Sequence, residues 1–220
     1  MKVLVASDLH GNTHYASRLG EKASEEYAEL IAICGDITNF GTVDLALKVL
    51  EAISEAGVPV LFVPGNCDPK ELAVANTGKG VDCLHKKNIM LNGYDFMGLG
   101  GSSITPFHTL FELGEMEIEA MLEETYTNIN GSKHLILISH NPPRDTLIDR
   151  THHGVAAGSY SVRKFISDKR PLAVFSGHIH ESRGIDILGP TTMVNPGPAF
   201  RGYYAIARLG ERVEIELRSF

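Results

Sequence analysis

No apolar run in the 220 residues approaches the roughly 20 needed to cross a bilayer, and no basic amphipathic stretch suggests attachment to a membrane surface. The opening MKVLVASDLHG carries one Lys, a very short apolar run and then an acid, so it reads as a first strand and not as a signal peptide. Cysteine is scarce: Cys34, Cys67 and Cys83 are an odd number without CxxC spacing, which argues against a disulfide framework and a thiolate zinc site. These absences predict a soluble, cytoplasmic protein in a reducing compartment. Positive charge is in deficit, 20 Lys and Arg against 27 Asp and Glu. The formal charge of -7 disfavours broad non-specific binding to nucleic acid, and no basic patch is evident, so nucleic acid enters only as a substrate. Neither a GxxxxGK[ST] phosphate loop nor a GxGxxG dinucleotide turn occurs. With no repeat, low-complexity tract or linker, and 43% apolar content to fill a core, the expectation is a single domain over residues 1–220.

What is present is a rhythm. Apolar, β-branched runs recur at residues 2–7, 30–34, 58–63, 134–139 and 171–175, mostly separated by stretches of helical periodicity at 13–27, 42–56, 69–76, 111–128 and 160–167. That alternation is the signature of layered α/β architecture. After Gly184 the pattern turns to strand-like pieces at 192–195, 203–209 and 212–217, the last two joined in hairpin fashion through Gly210 and Glu211. The Gly-rich stretch 98–103 reads as the exit from a strand.

The chemistry sits where the apolar runs stop. VLVAS leads into Asp8-Leu9-His10, LIAIC into Gly35-Asp36, VLFVP into Gly65-Asn66-Cys67-Asp68, LILIS into His140, and LAVFS into Gly177-His178-Ile179-His180. Open α/β sheets gather ligands outside the carboxyl ends of their strands, so these loops are expected to converge. Residues two apart in extended chain point the same way, which predicts that Asp8 with His10, and His178 with His180, act as short chelating arms. Carboxylate, amide and imidazole donors without an obligatory thiolate suit manganese, iron, zinc, cobalt or nickel. Seven such side chains exceed the needs of one ion, whereas two divalent ions about 3.5–4 Å apart would use them all, with Asp36 as the natural bridge.

In this order D-x-H, G-D, G-N-x-D, a lone His after a strand, and G-H-x-H resemble the calcineurin-like metallophosphoesterases. The segments SDLHG, GDITNFG, PGNCD, LGGSS-x-TP, SHNPP, GHIHE and VNPG resemble in particular the predicted phosphoesterases related to a cyclic-nucleotide phosphodiesterase. The resemblance implies a four-layer α-β-β-α sandwich. It also implies one ion on Asp8, His10, Asp36 and His180, and another on Asp36, Asn66, His140 and His178. The implied activity is hydrolysis of small phosphate esters, phosphodiesters favoured, by hydroxide generated at the metal pair.

Two departures stand out. Many relatives have G-N-H-[DE], whose His assists the leaving group, and here Cys67 takes that place. A thiol, pKa ordinarily about 8.5, is a poor donor, so alkyl monoesters should suffer most. Cys67 and Asp68 are the candidate catalytic residues, Asp68 to polarise the thiol, to cap the following helix, or both. Asn195-Pro196-Gly197-Pro198 replaces a segment in which relatives often carry Ser after the Gly.

Blander roles compete. Asn66 is suited to a left-handed turn while still offering its amide oxygen, and His152 and His153 are either phosphate contacts or exposed loop residues. His14, His85, His108 and His134 lack paired donors at chelating spacing and are expected to be structural or solvent-facing. A phosphomonoesterase or nuclease is the neighbouring reading. The rival from another class is a protein-interaction scaffold, as in retromer's metallophosphoesterase-like subunit. The oligomeric state is not legible.

Overall fold

The computed structural model describes residues 1–129 and 134–220. Its elements run β1 (Lys2–Ala6), α1 (Thr13–Glu25), β2 (Leu30–Ile33), α2 (Val43–Ser54), β3 (Val60–Phe62), β4 (Val81–Cys83), β5 (Asn88–Leu91), β6 (Tyr94–Leu99), β7 (Ser102–Ser103), β8 (Glu112–Leu113), α3 (Glu115–Thr127), β9 (Leu135–Ser139), α4 (Tyr160–Lys169), β10 (Ala173–Phe175), β11 (Gly184–Leu188), β12 (Thr191–Asn195), β13 (Tyr203–Arg208) and β14 (Glu214–Ser219). Two six-stranded sheets result, ordered β14-β13-β1-β2-β3-β4 and β11-β12-β10-β9-β6-β5.

Strand parity builds the layers. Leu4 and Ala6 face outward with Ile31, Ile33 and Phe62 to receive Leu19 of α1 and Val49 and Ile53 of α2. Their neighbours Val3 and Val5 turn inward with Leu30 and Ala32 to meet Phe96, Ile136, Ile138 and Phe175 of the second sheet. On that sheet's far face Leu137, Val174 and Met193 pack under Ile118 and Leu122 of α3 and Val162 and Phe165 of α4. Because successive strand residues point to opposite faces, wholly buried strands such as β2 and β9 serve two cores at once. The outcome is the expected α-β-β-α sandwich.

Helix starts follow local chemistry. Asn12, Thr42 and Ser159 each accept a hydrogen bond from the backbone N–H three residues on, as N-caps do. Two helix expectations change. Residues 69–76 give only a single 3-10 turn, Lys70–Val74. The stretch 111–128 turns helical only at Glu115, because β8 first pairs with β7. The closing hairpin forms, β13 against β14 in antiparallel register, and β13 also pairs with β1.

Strands β1, β2 and β3 run parallel in one sheet, as do β9 and β10 in the other. Their carboxyl ends therefore lie together, and the motif loops leave from there.

Candidate metal centre

The first contacts are made by backbone. Asp8 N–H donates to Gly35 O at 2.9 Å and His10 N–H to Asp36 O at 2.9 Å, which locks the loop after β1 to the loop after β2. Asp68 fastens the loop after β3 onto them, accepting from Ile37 N–H (3.0 Å), Thr38 N–H (2.7 Å), Thr38 Oγ1 (2.9 Å) and Gly65 N–H (2.8 Å). The sheets are joined across the site. His140 Nδ1–H donates to Cys34 O at 2.7 Å, and His178 N–H reaches Asp8 Oδ2 at 3.3 Å.

These bonds leave lone pairs facing one another. With its Nδ1 proton on Cys34 O, His140 turns an unprotonated Nε2 to Asn66 Oδ1 at 2.8 Å and to Asp36 Oδ1 at 3.5 Å. On the other side His10 Nε2 lies 3.2 Å from His180 Nε2 and 3.8 Å from Asp36 Oδ2, while His180 Nε2 is 3.3 Å from Asp8 Oδ1. Asp8 Oδ1 and His10 Nδ1 are buried without a hydrogen-bond partner among the described residues. Acceptors gathered this closely repel unless cations share them. Ligand atoms of Asp8, His10 and His180 lie within 4.8 Å of one another, and so do those of Asp8, Asp36 and His140. The oxygen and nitrogen donors therefore fit divalent cations. His178 joins from the side, its ring 5.0 Å from that of His140.

Electrostatics agree. Burial, reinforced by the charges of Asp8 and Asp68, raises the Asp36 carboxyl well above its usual range. Burial works against ionisation of Asp8, but His180, 3.3 Å from its Oδ1, and then the His140 and His10 imidazoles outweigh it and bring that carboxyl to about 2. Burial lowers His10 and His140, and with His140 as neighbour takes His178 down to about 3, so these rings stay neutral and keep their lone pairs.

The route to convergence differs from strand alternation. Asp8 (φ 57°), His10 (φ 49°), Asp36 (φ 49°) and His178 (φ 68°) all adopt left-handed backbone, at roughly 1–2 kcal/mol each for an L residue. Loops, and not extended chain, aim the donors. Asn66, expected in a left-handed turn, has no positive φ. Close approach adds a demand for glycine: a Cβ at Gly65 would stand 2.1 Å from Asp36 N, and one at Gly177 1.7 Å from Ser7 Oγ.

Cys67 sits at the centre, its N–H donating to Asp36 Oδ1 at 2.8 Å and its Sγ receiving Asn66 Nδ2–H at 3.6 Å. Burial and then the Asp36 charge push its thiol far above the usual range, so it stays protonated. Asp68 makes no hydrogen bond to Cys67, and the turn after it begins at Pro69 without a side-chain cap; its four bonds make it a loop fastener. Asn195 went unassigned in the sequence, yet its Nδ2 donates to Ile179 O (2.8 Å) and Gly177 O (3.3 Å) and so shapes the G-H-I-H loop. Its place in VNPG was the available signal. His152 and His153 are exposed, and His85 Nδ1 accepts from Gly100 N–H at 2.9 Å. The 98–103 stretch serves close packing, since a Cβ at Gly98 would meet Leu84 Cβ at 2.5 Å.

Two hollows flank the centre. A cleft of about 610 Å³ starts at Asn66 and His178, and a shallower one of about 360 Å³ is lined by His10, Asn39, His180 and Phe200.

Comparison with known proteins places this geometry. Residues 1–182 match the family described as Calcineurin-like phosphoesterase. "Uncharacterized protein MJ1162" of Methanocaldococcus jannaschii is 39% identical over 206 residues, covering 90% of this chain and 88% of that protein. Phosphodiesterase YfcE of Escherichia coli K12 is 34% identical over 74 residues, 31% of this chain and 40% of YfcE. Among solved structures, a dimetal phosphatase from Danio rerio superposes with a TM-score of 0.70 at 14% identity, covering 100% of this chain and 96% of that one.

Proposed function

Because the chain belongs to the calcineurin-like phosphoesterase family and is a metal-dependent phosphoesterase, we propose that it hydrolyses phosphodiesters at a centre of two divalent ions. Asp8, His10, Asp36 and His180 would hold one ion, and Asp36, Asn66, His140 and His178 the other. The observation that carries this reading is Asp36, which turns Oδ1 toward His140 and Oδ2 toward His10, one oxygen to each set. The phosphodiesterase name of YfcE and the dimetal name of the Danio rerio phosphatase agree with it.

When bound, such ions would supply Lewis acidity toward a phosphoryl oxygen and a more acidic water. The chain's own groups do the rest. Cys34 O fixes the His140 tautomer, Asp68 holds the Asp36 and Asn66 loops in register, and Asn195 sets the loop that carries His178 and His180. Cys67 keeps its proton but donates it poorly, so esters with acidic leaving groups are favoured over alkyl monoesters. A scaffold role has less support, since it would leave a full donor set without a purpose. Among the described residues no helix is long and apolar enough to cross a membrane. The free cysteines fit the reducing cytoplasm as the location. Recovery in a membrane or secreted fraction would contradict it.

The test is elemental analysis with turnover of bis(p-nitrophenyl) phosphate by chelated and reloaded protein. We expect about two ions per chain and activity restored by manganese or another transition metal. No turnover with any of manganese, iron, zinc, cobalt or nickel would overturn the reading.

A further inference from the structure

The cleft that begins at Asn66 and His178 has walls unlike the centre itself. Ile104 and Phe107 on one loop and Val155 on another line it, and they remain 72%, 80% and 59% exposed. Large apolar side chains gathered around a concavity mark a place where something apolar is covered. Both loops are braced by their own hydrogen bonds. Glu112 Oε1 accepts from Thr105 Oγ1 at 2.6 Å and Thr109 N–H at 2.9 Å, and Thr151 N–H donates to Val155 O at 3.0 Å. The walls are thus shaped before any ligand arrives.

Arg144 lines the same cleft and is underused. Its Nε is buried without a partner among the described residues, its Nη1 has only a 3.5 Å contact with Gly158 O, and it makes no ion pair among the described residues. Its neighbours are spoken for: Arg150 meets Asp145 and Asp149 at 3.4 and 3.6 Å, and Arg163 Nη1 donates to Arg144 O and Asp145 O at 2.7 and 2.9 Å. Arg144 is also held in place. Its guanidinium lies 4.5 Å over the Tyr160 ring, and its backbone N–H donates to Ser159 O at 3.0 Å. Glu181, the acid of the cleft, has Oε1 engaged by His152 N–H at 2.9 Å. A pre-set guanidinium with free donors beside an apolar wall suits an anion attached to a flat ring.

We propose that this cleft binds the organic part of the ester, with Phe107 covering an apolar ring and Arg144 gripping a second acidic group on the same molecule. The substrate class is then a phosphodiester whose alcohol carries both, as a nucleoside with a further phosphate does. This rests on the phosphoesterase reading above.

The probe pair is the p-nitrophenyl ester of thymidine 5′-phosphate with and without a 3′-phosphate, on manganese-loaded protein. Wild type is expected to favour the 3′-phosphorylated ester in kcat/KM by about tenfold or more, the scale of one charge-assisted contact. Arg144→Met, which keeps an unbranched stem but removes the guanidinium, is expected to bring the ratio near one, and Arg144→Lys to an intermediate value. Each ratio is internal to one preparation, so folding and metal content cancel. Phe107→Ala is expected to raise KM for the thymidine ester at least about fivefold relative to methyl p-nitrophenyl phosphate. A wild-type ratio of one, or a preference that survives in Arg144→Met, overturns the Arg144 assignment, and an unchanged relative KM overturns that of Phe107. Turnover without discrimination removes this proposal alone. If neither thymidine ester turns over while bis(p-nitrophenyl) phosphate does, this proposal alone is overturned; if none of the three turns over, the phosphoesterase reading fails, and calorimetry with thymidine 3′,5′-bisphosphate against thymidine 5′-monophosphate decides the cleft: tighter binding of the bisphosphate that Arg144→Met abolishes supports it, and equal binding overturns it.

Discussion

Asp36 and Cys67 show how much single side chains decide. Asp36→Asn removes the charge that both histidine sets face, so both ions should weaken and turnover should fall further than in His10→Ala, which touches one set. Metal content and kcat/KM of the two variants, measured together, check it; equal losses would remove the bridge. For Cys67 the expectation is modest. A thiol that keeps its proton and donates weakly should cost less than about tenfold when changed to Ala on an aryl diester, against the roughly 10²–10⁴-fold that a general acid contributes. Cys67→His should flatten the dependence of kcat/KM on leaving-group pKa. Loss of all aryl diesterase activity in Cys67→Ala with both metals retained would show the thiol to be essential. The identities of these donors were readable in the sequence, since each ends an apolar run. That Asp68 fastens loops and makes no hydrogen bond to Cys67 was not readable, because its partners Ile37 and Thr38 lie about thirty residues earlier.

Loops and strands set the tolerances within which those side chains work. In Gly65→Ala the added Cβ would press on Asp36 N and Oδ1 at 2.1 Å, so the loop must shift and carry Asp36 with it. A displacement near 1 Å is enough for about 10²-fold in rate, and that loss, with reduced metal content in a folded protein, is the expected result. On the turn between β4 and β5, His85 provides a pH test away from the metal site. Burial, then the charges of Lys86 and Lys87, lowers its pKa to about 4. Its unfolded imidazole titrates near 6.5, so between these values the unfolded chain binds a proton that the folded chain refuses. Its contribution is therefore full above 6.5 and lost as pH falls toward 4. The drop in Tm from about pH 7.5 to about pH 5 should be smaller in His85→Gln than in wild type, and an equal drop would contradict the assignment. The strands leading into the ligands were legible as β-branched runs. The edge strands β5 and β11 were not, because they are only partly buried and less regular in pattern, whereas β12 was legible at 192–195.

At the level of the whole chain, the centre links segments that are distant in sequence. His178 N–H meets Asp8 across 170 residues, and β13 closes on β1 so that Met1 N donates to Leu209 O at 2.9 Å. Metals bound only by the folded state should stabilise all of it. At ligand a hundredfold above Kd the gain is about 2.7 kcal/mol per site, and chelation of both sites should lower Tm by roughly 10–20 °C in a single transition, followed by near- and far-ultraviolet circular dichroism. Two transitions would contradict the single domain expected from composition, and an unchanged Tm would contradict tight metal binding. The sequence by itself determined the layered α/β class, the donor types and their placement after strands, because apolar periodicity and chain order are local properties. Tertiary structure decided which oxygen of Asp36 faces which histidines, the left-handed turns at Asp8, His10, Asp36 and His178, and the walls of the Arg144 cleft. Those depend on how two sheets and their loops meet, and pairings between residues far apart in the chain leave no local pattern to read.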